Sequence, residues 1–331
     1  MQVDTMDIRF LIVRIESQNE VFLAIPLLRC IKQQVDGAIV HFLTNEKYLD
    51  LFRGNQYIDQ LFCLSSNNIK TIPQVLGKQD YHYVIDLQND GNSKRLTKNI
   101  RTVHFNLKHD TWKRLFYIHF RIGHFQAKQL IERYFDLVSV FDVTNDKNPI
   151  AQDIPITTKF DIATIDAQFL DGYCVMLLGA KYATRRLPIE KAVALCLNAR
   201  YPIVLLGYRD DYVYIDQIIN ATSKADDRQM LNACEMFDLP TSIEIIRRAK
   251  LVVTCDNDWL QIAVSFNQNV FILWGNTISE NGNEAYLPVE NCKNIEVKPL
   301  KCRPCSERGF SRCPEKHFRC MNEINVTEVF S

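Results

Sequence analysis

Three polar junctions directly follow apolar stretches of this sequence, and the residue types at each suit the binding of an anion or a sugar. The first is Asp256-Asn257-Asp258, which stands between an apolar run at 251–254 and a helical pattern at 259–266. The free N–H groups at the start of a helix bind phosphate. Asn and Asp are also common helix caps, so the sequence leaves both interpretations open.

The other two junctions carry opposite charges. Gly179 is followed by Arg185 and Arg186 just ahead of a helix that begins at a proline. Guanidinium groups there are suited to hold a diphosphate by paired hydrogen bonds, and a solvated basic loop is the alternative. Gly207 is followed by Asp211, a carboxylate that fits a ribose hydroxyl or, alternatively, an acid that simply begins a helix.

The elements that carry these junctions alternate between strands and helices in two similar halves of the chain. Continuous apolar strands joined through helices indicate parallel sheets covered on both faces, and ligands bind beyond the carboxyl ends of such strands. The sequence therefore predicts an α/β protein with two Rossmann-like, doubly wound domains facing each other across a cleft. The predicted strands lie at 8–15, 38–43, 83–87 and 103–106, then at 173–178, 203–206, 251–254 and 270–273, and the predicted helices at 21–33, 46–53, 111–121 and 127–141, then at 189–199, 211–220, 242–249 and 259–266.

The boundary between the halves is predicted near a polar stretch at 145–159, which contains two prolines and no apolar period. A chain of 331 residues exceeds the usual single core. We therefore expect an N-terminal domain at 1–160 and a C-terminal domain at 161–331.

Composition narrows the class of protein. Lysine plus arginine and aspartate plus glutamate each number 39, so no overall field attracts nucleic acid or membrane. No apolar run approaches the roughly 18 residues of a membrane-spanning helix, and the first residues lack the basic segment of a signal peptide. These features predict a cytoplasmic protein.

A cluster of four of the eleven cysteines lies near the C-terminus. It consists of Cys302, Cys305, Cys313 and Cys320, with His317 between the last two. The Cys-x2-Cys opening fits a structural zinc site, although the later spacing matches no common zinc module. Reduced structural thiols and, in an oxidising compartment, two disulfides are the alternatives.

A basic segment lies between Lys94 and Lys128. It contains nine lysine or arginine residues and a single acid, Asp110. Aromatic residues are interleaved with these cations, so the segment is suited to a phosphorylated sugar or an anionic membrane surface. A helix with a solvated basic face is the alternative. No nucleic-acid-binding module accompanies it, so we expect no nucleic-acid partner. The cations are Lys94, Arg95, Lys98, Arg101, Lys108, Lys113, Arg114, Arg121 and Lys128.

Several familiar motifs are absent from the sequence. It contains no Gly-x-Gly-x-x-Gly after a strand and no Walker loop, which counts against dinucleotide dehydrogenases and P-loop enzymes. It also lacks the Gly-x-Ser-x-Gly turn of many hydrolases. Phosphate recognition is therefore expected to use helix starts and individual cations.

The order and spacing of several short motifs resemble glycosyltransferase family 9, the lipopolysaccharide heptosyltransferase family, whose members have the GT-B fold. The similarity runs nearly from end to end. Its motifs are Arg14-x4-Asn19-Glu20 with Pro26-Leu27-Leu28-Arg29, the turn from Gly179 to Arg185-Arg186-Leu187-Pro188, Val204-Leu205-Leu206-Gly207, Thr241-Ser242-Ile243-Glu244, Asp256-Asn257-Asp258-x2-Gln261-Ile262-Ala263, Trp274-Gly275-Asn276-Thr277 and the cysteine cluster.

This resemblance implies an inverting transfer of a heptose-like sugar from an ADP-heptose-type donor to a lipopolysaccharide core or related glycan, with no metal required. It also implies that the domain at 1–160 binds the acceptor and that the domain at 161–331, with its cysteine-rich tail, binds the nucleotide sugar. Peripheral contact with the inner membrane surface is expected as well. Glu20 stands at the place of an acidic residue of the family and is the candidate catalytic base. The candidate donor residues are Arg185, Arg186, Asp211, Asp256, Asn257, Asp258 and Gln261, and the candidate acceptor residues are Arg14, Lys94, Arg95, Arg114 and Arg121.

Four positions depart from the family pattern. Asn19 replaces a glycine, Glu20 is one methylene longer than the usual aspartate, Asp258 replaces a glycine and Gln261 replaces a histidine. The alternative function is therefore a catalytically impaired family member that binds a nucleotide or glycan without transferring sugar. A nucleotide-sugar epimerase of similar architecture is a third interpretation, but it does not predict the cysteine cluster.

Overall fold

The structure is a computed structural model that describes residues 7–108, 128–154, 160, 166–282, 284–288 and 290–330. The chain divides into two compact units. Within the described residues, unit 1 comprises 7–108 and 128–154, and unit 2 comprises the described residues from 160 onward. The predicted boundary between residues 160 and 161 borders residues outside these ranges and stays a prediction. The predicted helix at 111–121 also lies outside the described residues.

Unit 1 contains a five-stranded sheet in the order β3-β2-β1-β4-β5, with every neighbouring pair parallel. Leu11 packs in an apolar cluster with Leu76 and Leu96, whereas the Phe10 ring stacks on Tyr83 with centroids 5.5 Å apart. The strands are β1 Ile8–Val13, β2 Ala38–Asn45, β3 Gln60–Leu64, β4 Tyr83–Asp86 and β5 Val103–Asn106, and the α-helices are α1 Gln18–Phe22, α2 Ile25–Gln34, α3 Ile72–Leu76, α4 Gly91–Thr97 and α5 Leu130–Val138.

Unit 2 contains a six-stranded parallel sheet in the order β11-β10-β9-β6-β7-β8. Its central strands are apolar and buried at every residue, as expected for a parallel sheet with both faces covered. The strands are β6 Cys174–Leu177, β7 Ile203–Leu205, β8 Met230–Asn232, β9 Leu251–Cys255, β10 Val270–Trp274 and β11 Cys292–Glu296, and the α-helices are α6 Ile189–Asn198, α7 Tyr212–Thr222, α8 Leu239–Arg248, α9 Leu260–Phe266 and α10 Arg319–Asn322.

Both sheets have the same winding. The chain leaves the first strand of each sheet towards one edge and later returns to the other side of that strand, so β1 neighbours β4 and β6 neighbours β9. Ligands of doubly wound sheets bind at such a switch point, beyond the carboxyl ends of the two strands. The prediction of two Rossmann-like α/β domains is confirmed. No helix in the described ranges is long and apolar enough to cross a membrane.

Part of the stretch predicted to be a linker is packed against unit 1. The guanidinium of Arg29, on α2, is fully buried and lies 2.7 Å from the Asp146 carboxylate. It also pairs with Asp153 and donates to the Asn148 carbonyl. A buried arginine needs such partners. Through these contacts, residues 146–153 belong to the packed unit, and the acids Asp146 and Asp153 in this polar stretch neutralise Arg29.

Candidate functional site

The residues that follow β1 and β4 form the unit-1 switch point, and Arg14 lies at its centre. Its guanidinium donates to the Leu87 carbonyl at 2.6 Å and to the Glu16 carbonyl at 3.2 Å. It also forms an ion pair with the Glu20 carboxylate. Arg14 is buried, so its main role in this structure is to join the two strand ends to α1, which carries Glu20.

The side chain of Gln88 also holds these loops in place. The side-chain oxygen of Gln88, Oε1, accepts from the Ile15 and Glu16 N–H groups, so the segment after β4 is bonded to the segment after β1. Ser17 has φ +64° and Asn89 has φ +49°, a region that residues other than glycine seldom adopt. Strained backbone of this kind is common in functional loops and requires support from the surrounding structure.

Glu20 differs from the buried residues around it, because 37% of its side chain is exposed. Its backbone carbonyl accepts from the Tyr134 hydroxyl at 3.2 Å, which fixes the position of its helical turn. A carboxylate that is held by one guanidinium and also reaches solvent is suited to accept a proton from a hydroxyl group. The structure thus brings the candidate base and Arg14 together.

The other candidate acceptor residues are only partly within the described ranges. Lys94 and Arg95 lie in the last turn of α4 and are exposed, and neither forms an ion pair with another described residue. Arg114 and Arg121 lie outside the described residues. Lys94 and Arg95 therefore provide an exposed basic surface on unit 1.

The residues that follow β6 and β9 form the unit-2 switch point, where Arg185 meets Asp256. The Arg185 Nη2 atom lies 2.7 Å from Asp256 Oδ2, and 20% of the Arg185 side chain is exposed. The Thr277 hydroxyl donates to the same carboxylate oxygen at 2.6 Å. The Arg185 Nε–H is buried and has no partner in the described part of the chain. Arg185 therefore keeps unused hydrogen-bonding capacity beside a partly open surface.

Arg186 and Asp211 form a second pair on this edge. Arg186 Nη2 lies 2.9 Å from Asp211 Oδ1, and Arg186 Nε donates to the Ala180 carbonyl. Burial raises the pKa of Asp211, against the Tyr208 N–H bond and the Arg186 charge that lower it. A Cβ added at Gly179 would stand 2.2 Å from the Asp211 carboxyl carbon. The glycine at this strand end is therefore needed to admit the Asp211 side chain, which is buried in this structure.

The side chains of Asn257 and Gln261, two of the predicted donor residues, form hydrogen bonds with the backbone. The Asn257 side-chain amide donates to the Leu177 and Gly179 carbonyls, so it joins the ends of β9 and β6. The Gln261 side chain donates to the Glu284 carbonyl and accepts from the Tyr286 N–H. Their candidate roles in donor binding stay predictions, as does that of Asp258, whose negative charge contributes to the raised pKa of Asp211.

The cysteine-rich segment, residues 300–321, contacts the turn that carries Arg185 and the loop that carries Thr277. Phe310 exchanges hydrogen bonds with Thr184, the residue before Arg185, at 2.8 and 3.1 Å. Arg303 Nη2 donates to the Thr277 carbonyl at 2.8 Å. The cysteine-rich segment is therefore a brace for the turn that carries Arg185 and for the loop that follows β10.

The four clustered cysteines are free thiols. Burial raises the pKa of Cys320 to about 12, and nearby Cys305, Cys302 and Cys313 contribute in the same direction. Over the described ranges, no three His, Cys, Asp or Glu side chains are arranged to hold a metal ion. Zinc binding by this cluster stays a prediction.

Sequence reasoning did not assign a role to Thr184, Thr277 or Phe310. A polar residue in the loop that follows a predicted buried strand was the available signal for Thr277. Nothing in the local sequence indicates the Thr184–Phe310 contact, because the two residues are 126 positions apart.

Comparison with known proteins identifies similar sequences and structures. The family model described as "Glycosyltransferase family 9 (heptosyltransferase)" matches residues 69–316. A family 9 glycosyltransferase from Veillonella parvula is 15% identical, with a TM-score of 0.73 over 98% of this chain and 96% of that chain. The Escherichia coli heptosyltransferase WaaC, solved with ADP, is 16% identical, with a TM-score of 0.66 over 92% of this chain and 97% of that chain.

A third solved structure is the Escherichia coli ADP-heptose lipopolysaccharide heptosyltransferase II. It is 13% identical, with a TM-score of 0.64 over 96% of this chain and 98% of that chain. No curated protein matches the sequence. At these identities the structural similarity establishes a shared fold.

Proposed function

This chain belongs to glycosyltransferase family 9, the heptosyltransferase family, and we propose that it transfers a heptose-like sugar from an ADP-heptose-type donor to a lipopolysaccharide core or related glycan. The chain is thus a glycosyltransferase. The observation that carries the finer proposal is Arg185, a partly exposed guanidinium with an unpartnered N–H at the unit-2 switch point. A similar solved heptosyltransferase contains ADP, which supports an adenine nucleotide as the leaving group.

In the proposed reaction, an acceptor hydroxyl oxygen attacks the anomeric carbon while the bond from that carbon to the diphosphate breaks. The proton of the hydroxyl passes to Glu20, and the diphosphate leaves with the bonding electron pair. Arg185 stabilises the negative charge that develops on the diphosphate. Because the attacking and leaving oxygens are on opposite faces of the sugar, the configuration of the anomeric carbon inverts. We propose that no metal ion is needed.

The acceptor is proposed to be anionic. Lys94 and Arg95 are exposed and form no ion pair with a described residue, so they are available to phosphate groups on a core oligosaccharide or to an anionic membrane surface. We propose that the protein works in the cytoplasm, with peripheral contact at the inner membrane.

Donor binding can be tested by the thermal shift that nucleotides cause. A ligand that binds only the folded state stabilises it by about 2.7 kcal/mol at one hundred times its Kd. ADP should raise the melting temperature, and Arg185→Ala should lose most of that rise. Arg209→Ala is the matched control, because Arg209 follows β7 of the same sheet but is exposed and pairs with Glu235. If no nucleoside diphosphate near millimolar concentration shifts the melting temperature, the donor site is wrongly assigned.

Transfer is tested with a panel of ADP-, UDP-, GDP- and CDP-sugars and a heptose-deficient core oligosaccharide as acceptor. The proposal expects turnover with an ADP-sugar. Tight binding of that sugar nucleotide with no turnover on any acceptor would instead favour the catalytically impaired alternative, which rests on the four departures from the family pattern.

A further inference from the structure

Asn276, two residues after β10, is buried without hydrogen-bond partners. Its exposure is 1%, and neither Nδ2 nor Oδ1 has a partner in the described part of the chain. It is the one described residue with two such side-chain atoms. Burying an amide without partners is unfavourable, so a site that retains one requires an explanation.

The backbone around Asn276 is fixed on both sides. Its own carbonyl accepts from the Cys305 N–H, and the Thr277 carbonyl accepts from Arg303. A Cβ added at Gly275 would stand 2.8 Å from the Thr184 carbonyl oxygen, so the chain there is packed closely. These contacts hold the backbone on both sides of Asn276, so its side-chain torsions are the main freedom left to the amide.

Other buried amides of unit 2 are fully used. Asn267, which is 3% exposed, donates to the Ile246 and Ala249 carbonyls and accepts from the Asn269 N–H. Asn257 is also bonded through both amide atoms. Incomplete bonding is therefore particular to Asn276 among these three residues.

Asn276 belongs to the same edge as the candidate donor site. The hydroxyl of Thr277, the next residue, donates to Asp256, and Asp256 pairs with Arg185. The unpartnered Arg185 Nε–H lies on the same chain of contacts. The unpartnered atoms of Asn276 and Arg185 thus lie on the edge where the proposed function places the sugar nucleotide.

The Asn276 amide both donates and accepts hydrogen bonds, so it fits a hydroxyl-bearing part of the ligand better than the diphosphate. A diphosphate only accepts hydrogen bonds, so it would leave the Asn276 Oδ1 atom unpartnered. A hydroxyl group both donates and accepts, and two neighbouring hydroxyls can satisfy Nδ2 and Oδ1 together. Resting on the proposed function, we propose that Asn276 binds hydroxyl groups of the transferred sugar, while Arg185 binds the diphosphate.

The proposed role of Asn276 predicts different effects of a substitution on the binding of ADP and on the binding of a sugar nucleotide. Asn276→Leu removes the amide but keeps a similar volume. The variant should bind ADP within about threefold of the unaltered protein and bind the sugar nucleotide at least about tenfold more weakly, because a lost hydrogen bond to a hydroxyl discriminates by this order or more. The sugar nucleotide for this test is chosen from the panel of ADP-, UDP-, GDP- and CDP-sugars. It is the one that the unaltered protein binds more tightly than it binds ADP.

The melting temperature without ligand is the second measurement. Removing an unpartnered buried amide should leave it unchanged or raise it. Asn267→Leu is the matched control and should lower it, because three hydrogen bonds are lost.

The outcomes separate this inference from the proposed function. If Asn276→Leu lowers the melting temperature as much as Asn267→Leu does, the amide is structural and the inference is overturned. The inference also fails if ADP and the sugar nucleotide lose affinity equally, if neither loses any, or if no sugar nucleotide binds more tightly than ADP. If the unaltered protein binds no nucleotide, the proposed function fails and this inference fails with it.

Discussion

At the residue scale, the most informative side chains are the arginines that pair with carboxylates at the two switch points. Arg14 holds Glu20, and Arg185 holds Asp256. In each pair one partner is buried and the other is partly exposed, so the exposed group is oriented before any ligand arrives. Fixed orientation of reacting groups is a general source of catalytic efficiency.

Glu20→Gln tests the proposed base. The change keeps the size of the side chain and removes its basicity, so turnover should fall roughly 10²–10⁴-fold, while donor affinity measured by calorimetry should barely change. Glu16→Gln is the control, since Glu16 lies in the same loop with an exposed side chain and should retain turnover. Equal turnover of Glu20→Gln and the unaltered protein would remove Glu20 from catalysis.

The sequence identified chemically suitable residues but not their partners. Asp256 and Arg185 were separately predicted to bind a diphosphate, and the structure pairs them. Asn257 looked like a phosphate-binding helix start, yet its amide joins two strand ends across 80 and 78 positions of sequence. Contacts over such separations depend on the packed sheet and leave no local pattern.

At the element scale, the central strands were predicted well, whereas only β5 of the four edge strands was predicted. The apolar runs at 251–254 and 270–273 correspond to β9 Leu251–Cys255 and β10 Val270–Trp274. β3, β8 and β11 were missed. They are short strands with several partly exposed or polar positions, so they lack the continuous apolar run that marks a central parallel strand.

One predicted helix has an interruption. The pattern at 21–33 is divided in the structure into α1 Gln18–Phe22 and α2 Ile25–Gln34. Proline at the second position of α2 is compatible with a helix start, and the break separates the short helix that carries Glu20 from the longer one.

Gly275→Ala tests the contact between the loop after β10 and the turn that carries Arg185. A Cβ there would stand 2.6 Å from Met321 Cε and 2.8 Å from the Thr184 carbonyl oxygen. Such overpacking typically costs about 1–3 kcal/mol. We expect a lower melting temperature and weaker ADP binding.

Gly91→Ala is the control for that change, because a Cβ at Gly91 meets nothing within 4 Å. It should leave both measurements unchanged or raise stability slightly. If Gly275→Ala behaves like Gly91→Ala, the loop does not position Arg185.

At the scale of the whole molecule, a balance of 39 cations and 39 anions is accompanied by local ion pairs. Glu244 is a buried example, with Arg247 and Arg248 within 2.7 Å of its carboxylate. Burial raises the pKa of Glu244, but these hydrogen bonds outweigh it and the pKa is lowered.

The lowered pKa of Glu244 determines how the stability of the protein depends on pH. A carboxyl with a lowered pKa in the folded state stabilises the protein fully above its ordinary pKa of 4.5, and the contribution is lost as the pH falls below that value. Glu244→Gln should therefore reduce the free energy of unfolding more at pH 7 than at pH values well below 4.5, as measured by urea denaturation.

Glu323→Gln provides the comparison for Glu244→Gln. Glu323 pairs with Arg319 at 2.6 Å, but both side chains are about half exposed, so solvent screens the pair and its contribution is small. Equal effects of the two substitutions would contradict the role assigned to the buried Glu244 cluster.

The Thr184–Phe310 contact also has a consequence for how the protein is made. Synthesis proceeds from the N-terminus, and the turn that carries Arg185 leaves the ribosome 126 positions before the residue that braces it. Closing so long a loop is entropically costly and follows the formation of local contacts. The nascent protein should therefore acquire its helices and central strands first, and the capacity to bind a nucleotide should be among the last properties to appear.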